Sequence, residues 1–314
     1  MLIDLVPSFL EATAASDPIE GYHRYFEDHR PVLAALWHNY ILDLDSPAVD
    51  EVVDRVVRAR REDLRGLLER VDVRQIAEET LARCEESFQA DCPVDLYLLV
   101  GVGGARSGEL VMGGRGKAFV CMEHFTAHPN PETFGLGLAP HLLPVSIAHA
   151  VAHAVRYTSP TSRSELARLV REAGGTYDPW DSGSRATVGE LLINEGLAVA
   201  ASRDVAPGFE LRTYLGYGSR QYRRMRELET LLRRVAGREL QQSGMGLRLR
   251  YLAEGFGSAA RRVGDRSIPE RSGYYLGYRM AEPYVAENGI AASLRASASE
   301  CLAADRRTAG AQSV

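Results

Sequence analysis

Long apolar runs, lysine and closely spaced cysteines are all scarce in this sequence. No stretch reaches the roughly 18 to 20 apolar residues that a membrane helix needs, so a membrane partner is not expected. Only one of the 37 basic residues is a lysine, Lys117, and the others are arginines. The four cysteines contain no C-x-x-C pair and lie far apart, which favours reduced, packed thiols over disulfides or a thiolate metal site.

A strong charge of one sign is also missing. The net charge is −5 and the isoelectric point about 6.0, which argues against a nucleic-acid partner held by bulk electrostatics. The amino terminus carries acids and no basic run before its apolar residues, unlike a secretory signal, so a cytoplasmic location is expected. A length of 314 residues with 45% hydrophobic side chains is ample for a buried core. Nothing in the sequence indicates an oligomeric state.

The spacing of apolar residues predicts an α+β fold that is mostly helical, with a small twisted sheet. Residues 1–90 are expected to form a helical amino-terminal region, 91–302 a second domain, and 303–314 a flexible tail. Residues 94–102 and 118–125 are rich in β-forming residues and are joined by a glycine-broken turn. Helices are predicted within 47–88 and over 142–158, 165–172, 187–202, 219–238, 273–286 and 289–302.

Two histidines stand four residues apart in the apolar sequence IAHAVAHAVRY, residues 147–157. On a helix, His149 and His153 project about 40° apart, within reach of one ion. The spacing alone is weak evidence, because two hydrogen-bonded core histidines give the same pattern. Buried without a partner, however, two imidazoles would cost several kcal/mol, so a metal ion is favoured.

A third ligand is available about forty residues further on, in the apolar sequence LLINEGLA. Glu195 stands there beside Gly196 and Ala198, whose small size would let this helix approach the first. Glu190 lies about 140° around the same helix, so it is expected to support the site or face solvent. Three protein ligands leave the fourth zinc position for water, which is the catalytic arrangement.

These residues resemble the zincin metallopeptidases of the Glu-ligand type, the gluzincins, in which H-E-x-x-H is followed on a later helix by an E-G-x-A element. The sequences LLPVSIAH-x-x-x-H, LLINEGLA and SGYYLGYRMAEPY are most similar to a bacterial family of predicted zinc-dependent proteases, over roughly residues 90–302. The resemblance implies that His149, His153 and Glu195 bind Zn²⁺ and that 91–302 is a zincin-like metallopeptidase domain acting on a peptide or protein. It also implies that 118–125 is the edge strand beside the cleft.

One departure from the family pattern concerns the residue after the first histidine, which is Ala150 where the family has glutamate. That carboxylate would take a proton from zinc-bound water and pass it to the leaving amine, and alanine can do neither. The loss is expected to exceed ~10² to 10⁴-fold, because no second carboxylate flanks the site in sequence. Deliberate inactivation and natural decay to a pseudoenzyme both explain Ala150, and under either the zinc ligands remain.

Tyrosines, two further histidines and two glycine clusters are weaker candidates for a functional role. Tyr278 and then Tyr275, near a predicted helix start, are the preferred donors to an oxyanion, with core packing as the alternative for each. His124 and His128 are expected at exposed loop positions. The glycines at 101–104 and 112–117 do not form a phosphate loop, because Lys117 is followed by Ala118.

The function predicted from the sequence is therefore zinc-dependent hydrolysis of peptide bonds, with this chain inactive because of Ala150. Two alternatives stay open. The chain is a natural pseudoprotease that binds peptides without cleaving them, or the same site processes a precursor peptide or natural product. The substrate, the cleavage preference and the physiological metal are not indicated.

Overall fold

The computed structural model of the chain describes residues 1–40, 47–103, 105–254, 261–263 and 266–311. Most of these residues are helical, and the strands form one small mixed sheet and separate two-stranded pairs, so the predicted α+β class is confirmed. None of the helices in these ranges combines the length and apolar character that crossing a bilayer requires.

The main sheet has four strands in the order β1-β2-β4-β3. The first three in that order are parallel, and β3 pairs antiparallel with β4 at the edge. Every residue of β2 is buried, which is typical of a strand covered on both faces. The strands are β1 (Leu2–Asp4), β2 (Val94–Leu99), β3 (Ser107–Met112) and β4 (Arg115–Cys121).

The prediction that the run 118–125 forms the edge strand is wrong. Its first residues belong to β4, which lies between β2 and β3, and its last four form a short 3-10 helix, Met122–Phe125. The edge on this side of the sheet is β3, SGELVM, which begins within the stretch that the sequence predicts as a glycine-broken turn. A glycine and a glutamate, both depleted in strands, weaken the β pattern there.

Among the described residues, six helices precede β2, and the last of them, α6, packs on β1 and on the later helix that carries the two histidines. Asp17 and Asp72 cap two of these helices by accepting hydrogen bonds from backbone N–H groups in the first turn. The helices are α1 (Val6–Thr13), α2 (Pro18–Asp28), α3 (Arg30–Tyr40), α4 (Pro47–Arg58), α5 (Glu62–Arg70) and α6 (Val73–Ser87).

Helices α7 (Leu143–Thr158) and α10 (Val188–Val205) begin and end close to the predicted positions. Pro144 lies in the first turn of α7, where a missing N–H costs nothing, and the helix ends two residues before Pro160. The Thr187 hydroxyl caps α10 by accepting from the backbone N–H of Glu190 at 3.3 Å. Both helices are almost entirely buried, α7 against β3 and β4.

The other elements after β4 complete the carboxy-terminal half. The short strand pairs are β5 (Pro129–Asn130) with β6 (Gly135–Leu136) and β7 (Arg262–Val263) with β8 (Arg266–Ser267). A second 3-10 helix spans Pro140–Leu142. The remaining helices are α8 (Glu165–Glu172), α9 (Ser182–Arg185), α11 (Leu211–Tyr214), α12 (Ser219–Gly237), α13 (Met245–Leu252), α14 (Ser272–Arg295) and α15 (Ala298–Ala311).

The helix ends near the carboxy terminus differ from the prediction. Helix α14 is interrupted at Gly289, whose φ of +75° is not helical, so the predicted break lies there. The helix predicted over 289–302 is divided: α14 ends at Arg295, Ala296 is extended, and a separate helix, α15, spans Ala298–Ala311. Alanine and arginine are strong helix formers, and Cys301 and Ala304 bury one face of α15. The division into domains stays a prediction.

Helix α10 is held between α7 and α14. Gly196 on α10 faces Gly277 on α14, and a Cβ atom built on Gly277 would lie 1.7 Å from the carbonyl oxygen of Leu192. The sequence analysis expects the small Gly196 to let α10 approach α7, the helix that carries the two histidines. In the structure, Gly196 lies against α14 instead. On the other side, Arg156 of α7 pairs with Glu190 at 2.8 Å, both side chains 1% exposed.

Candidate metal centre

His149 and His153 occupy successive turns of α7, and Glu195 reaches them from α10. The Nε2 atoms of the two histidines are 3.1 Å apart. The Glu195 Oε2 atom lies 3.4 Å from Nε2 of His149 and 3.5 Å from Nε2 of His153. The structure therefore brings together the three residues that the sequence predicts as ligands, as a group that could hold a metal ion.

The separations of these three atoms match the spacing of ligands around one zinc ion. Ligands bound at about 2.0 to 2.1 Å in a tetrahedron are separated from one another by about 3.3 Å. The three observed distances of 3.1, 3.4 and 3.5 Å bracket that value. The Glu195 Oε2 atom is buried and accepts no hydrogen bond from a described residue, so a cation would supply the partner that it lacks.

Solvent reaches the group from the side of His149. The side chain of His149 is 17% exposed, whereas that of His153 is 4% exposed. A ligand set that is buried on one side and open on the other leaves room for water or a substrate atom at the fourth position of a tetrahedral ion. A closed structural site would use all four positions for protein ligands.

The electrostatics of the site favour a positive charge among the ligands. Burial lowers the pKa of His149 to about 4, so this ring is neutral near pH 7. Burial opposes the charge of His153 too, but the carboxylates of Glu109 and Glu195 outweigh it and raise the pKa to about 9. The two imidazoles hold the pKa of Glu195 well below its usual range despite its burial. A divalent cation would take the place of the proton on His153.

A second carboxylate, Glu109, lies beside the ligands and was missed by the sequence analysis. It belongs to the edge strand β3, and its Oε1 accepts a hydrogen bond from the Tyr157 hydroxyl at 3.2 Å. The same hydroxyl accepts from the Asn194 amide at 2.9 Å. Burial raises the pKa of Glu109, and the charge of His153 opposes that shift. Because Glu109 is 40 residues before His149, no local spacing signals it.

Of the three tyrosines near the start of α14, Tyr274 is the one beside the metal centre. Its ring stacks on that of His149 with centroids 6.2 Å apart. The preferred residues lie elsewhere: the Tyr275 hydroxyl donates to Glu229 at 2.5 Å, and that of Tyr278 donates to Glu282 at 2.9 Å. Consecutive helical residues point about 100° apart, so only one of the pair Tyr274 and Tyr275 can face α7.

Ala150 is fully buried on α7 and presents only a methyl group. On a helix it lies about 60° around from His153, on the side of the ligands. Glu190 does not reach the ligands, as predicted, but it is buried in its ion pair with Arg156 and does not face solvent.

The two histidines expected on exposed loops differ from each other. His128 is exposed, whereas His124 is 1% exposed, and its Nδ1 accepts from the backbone N–H of Leu136 at 3.3 Å. The prediction of an exposed loop position is therefore wrong for His124, because the 3-10 helix that follows β4 turns its ring inwards. Burial lowers its pKa to about 4.

The fold and the side chains together define an α+β protein in which two helices share a group of three side chains that could hold a metal ion. Comparison with protein families adds one finding: residues 176–303 match the model of a family described as a predicted Zn-dependent protease. The matched segment includes Glu195 and the tyrosines of α14 and begins after the two histidines. No curated protein and no solved structure matches the chain.

Proposed function

We propose that this chain is a zinc-dependent peptide-bond hydrolase of the gluzincin type. It lacks the general base, because Ala150 stands where the catalytic glutamate is expected. The observation that carries the proposal is the near-tetrahedral spacing of the Nε2 atoms of His149 and His153 and the Oε2 atom of Glu195. The family description, predicted Zn-dependent protease, supports the same chemistry for the segment that carries Glu195.

The roles of the residues follow from their chemistry. The two imidazoles and the Glu195 carboxylate would hold the ion, leaving its open side towards His149. When bound there, zinc lowers the pKa of a water molecule and polarises a peptide carbonyl. Ala150 has no group that takes a proton from water or returns it to the leaving amine, so the native chain binds peptide without cutting it.

The setting that fits this activity is the cytoplasm, with a peptide or protein as the substrate and neither nucleic acid nor membrane as a partner. Residues 91–302 would carry the metallopeptidase domain. The stacking of Tyr274 on His149 makes Tyr274, in place of Tyr275 and Tyr278, the tyrosine nearest to a bound substrate carbonyl.

The experiment that tests the proposal restores the missing carboxylate. Ala150→Glu with one equivalent of zinc is expected to hydrolyse a mixture of unstructured peptides at least ~10² to 10⁴-fold faster than the native chain, the usual contribution of a general base. Ala150→Gln is the matched control, because its side chain has almost the same shape and cannot take a proton. Mass spectrometry of the products measures the rate, and thermal melting checks that both variants fold.

Glu109 provides a further arm of this experiment, since it is a second carboxylate beside the ligands. The native chain and its Glu109→Gln variant are both expected to be inert. Hydrolysis by the native chain that Glu109→Gln abolishes would contradict the assignment of inactivity to Ala150.

The activity of the Ala150→Glu variant also distinguishes the two alternative functions. A zinc-loaded Ala150→Glu variant that remains inert towards every peptide would support a pseudoprotease whose other groups have also decayed. An Ala150→Glu variant that cleaves only one precursor peptide would support dedicated processing.

A further inference from the structure

A cavity of about 310 Å³ lies next to the metal centre. Its polar lining includes Arg106, Ser146, Arg212, Thr213 and Tyr217, and we call it the arginine cavity. Ser146 precedes His149 by one helical turn on α7, so the cavity lies beside the ligand set. The volume lies at the lower end of the range for ligand pockets and is enough for one amino-acid residue.

The two arginines of this cavity differ in their partners. The Arg212 side chain donates hydrogen bonds to the Glu210 carboxylate and to the Ser219 hydroxyl. Arg106, just before the edge strand β3, makes no ion pair and no side-chain hydrogen bond with any residue in the described ranges. Its guanidinium lies against the backbone of Gly216, where a Cβ atom would approach to 2.8 Å. Its donors are thus available to a ligand.

The surroundings of Arg106 carry an excess of positive charge. A second arginine, Arg271, lies 4.4 Å over the ring of Tyr274 and 5.7 Å over that of Tyr217. Its nearest carboxylate is that of Glu254, which is 4.0 Å away and 73% exposed. Burial, together with the charge of Arg271, lowers the pKa of Arg106 to about 10. The guanidinium stays charged at neutral pH. A bound anion would offset both the loss of solvation on burial and the repulsion from Arg271.

We propose that the arginine cavity binds a carboxylate of the peptide substrate next to the metal centre. A guanidinium can donate two parallel hydrogen bonds to a carboxylate, which gives both strength and orientation. The hydroxyls of Ser146 and Thr213 add further donors on the cavity wall. Gly218, the residue before α12, lies in the same lining, and no side chain caps this helix, so the backbone N–H groups of its first turn favour an anion as well.

The identity of the ligand as a peptide rests on the proposed function, whereas the carboxylate preference rests on the cavity itself. The carboxylate has two possible sources, the carboxy terminus of a peptide or an aspartate or glutamate side chain. A terminal carboxylate would make the site that of an exopeptidase, and a side-chain carboxylate would set the preference of an endopeptidase.

Equilibrium binding to the native chain tests this proposal. Three fluorescent peptides differ only in charge: an amidated peptide with glutamine near its end, the same peptide with glutamate, and the glutamine peptide as a free acid. A chelator keeps the protein metal-free, so no carboxylate can be held by zinc. Fluorescence anisotropy is expected to show that one of the two carboxylate peptides binds about 10-fold tighter than the neutral one.

Variants assign that preference to Arg106. Arg106→Gln is expected to bind the three peptides equally, and Arg106→Lys to keep part of the difference, because it retains the charge without the planar fork. Arg168→Gln is the control for loss of one positive charge, since Arg168 is 52% exposed and pairs with Glu172 on α8. It is expected to keep the full preference.

Three results would overturn the proposal: equal binding of all three peptides by the native chain, a preference that survives in a folded Arg106→Gln, or the absence of any binding. The first measurement needs no variant, so a failure of Arg106→Gln to fold leaves the test intact. Hydrolysis of uncharged peptides by Ala150→Glu, with equal binding here, would retain the proposed function and remove the carboxylate site alone.

Discussion

The Oε2 atom of Glu195 is buried, lies within 3.5 Å of two imidazole nitrogens, and accepts no hydrogen bond from a described residue. Leaving a buried carboxylate oxygen unsatisfied costs on the order of 1 to 3 kcal/mol or more. A cation bound between these three atoms would supply the missing partner. The buried Glu190 instead forms an ion pair with Arg156 through its Oε1 atom and does not reach the two imidazoles.

A different buried carboxyl, that of Glu123, predicts how stability depends on pH. It follows β4, and its Oε1 accepts from the backbone N–H of Gly101 at 3.0 Å. Burial raises its pKa to about 7. The folded chain therefore keeps a proton that the unfolded chain releases above about pH 4.5, so this group's contribution to stability falls as the pH rises from about 4.5 to 7 and is constant above that.

Replacement of Glu123 by glutamine removes this pH-dependent loss of stability, because glutamine does not titrate. Relative to the native chain, Glu123→Gln is expected to gain up to about 1.4 kcal/mol in the free energy of unfolding per pH unit within that window. Urea unfolding at pH 5 and pH 8 measures the difference. The neighbouring His124 has the opposite pH dependence, and it is present in both chains. Glu69→Gln on the exposed face of α5 is the control, and an equal gain there would contradict the assignment to Glu123.

The sequence could predict that His149, His153 and Glu195 come together, because two of them share a helix and the third lies in a second apolar helix. It could not predict Glu109 or Arg106, since both lie around an edge strand whose pattern was hidden by a glycine-rich stretch. The interpretation of Tyr278 and Tyr275 depended on which face of α14 meets α7, and that face is set by tertiary packing. Local periodicity carries no such information.

At the scale of elements, the glycine contact between α10 and α14 positions Glu195. A methyl group on Gly277 would lie 1.7 Å from the Leu192 carbonyl oxygen, so the two backbones must separate to admit it. Gly277→Ala is expected to lower the free energy of unfolding by about 3 kcal/mol. It is also expected to weaken zinc binding, because α10 carries Glu195 away from α7. Urea unfolding and a zinc titration measure the two effects.

A matched substitution distinguishes this contact from a general intolerance of alanine. Gly237 ends α12, and no atom lies within 4 Å of a Cβ atom built there. Gly237→Ala is therefore expected to be neutral or to stabilise the chain by up to about 1 kcal/mol, through the higher helix propensity of alanine. Equal destabilisation by the two substitutions would refute the role given to the Gly277 contact.

The helices were largely predictable because their apolar residues recur at three and four and their ends carry local signals. Pro160 stops α7, Thr187 starts α10, and Ser164 caps α8 by accepting from the backbone N–H of Ala167 at 2.9 Å. The strand order of the sheet was not predictable in this way. Which strand lies at the edge depends on pairings between distant segments, such as β1 with β2.

At the scale of the whole molecule, the metal centre and the arginine cavity share one side of α7. Glu109 on strand β3 lies beside the ligands. Arg106, the residue just before that strand, lines the cavity. Helix α14 adds Tyr274 over His149. Elements far apart in sequence therefore build one region that holds the three candidate ligands and the arginine cavity, which suits the proposed binding of a peptide beside a metal ion.

The central claim is that His149, His153 and Glu195 bind one divalent cation, and calorimetric titration of the metal-free chain with zinc tests it most directly. One zinc per chain is expected for the native protein, with affinity lowered at least about 100-fold in His149→Ala and Glu195→Gln. His128→Ala, which replaces an exposed histidine, is expected to bind zinc as the native chain does. No zinc uptake by the folded native chain, or uptake undiminished in both ligand variants, would contradict the account.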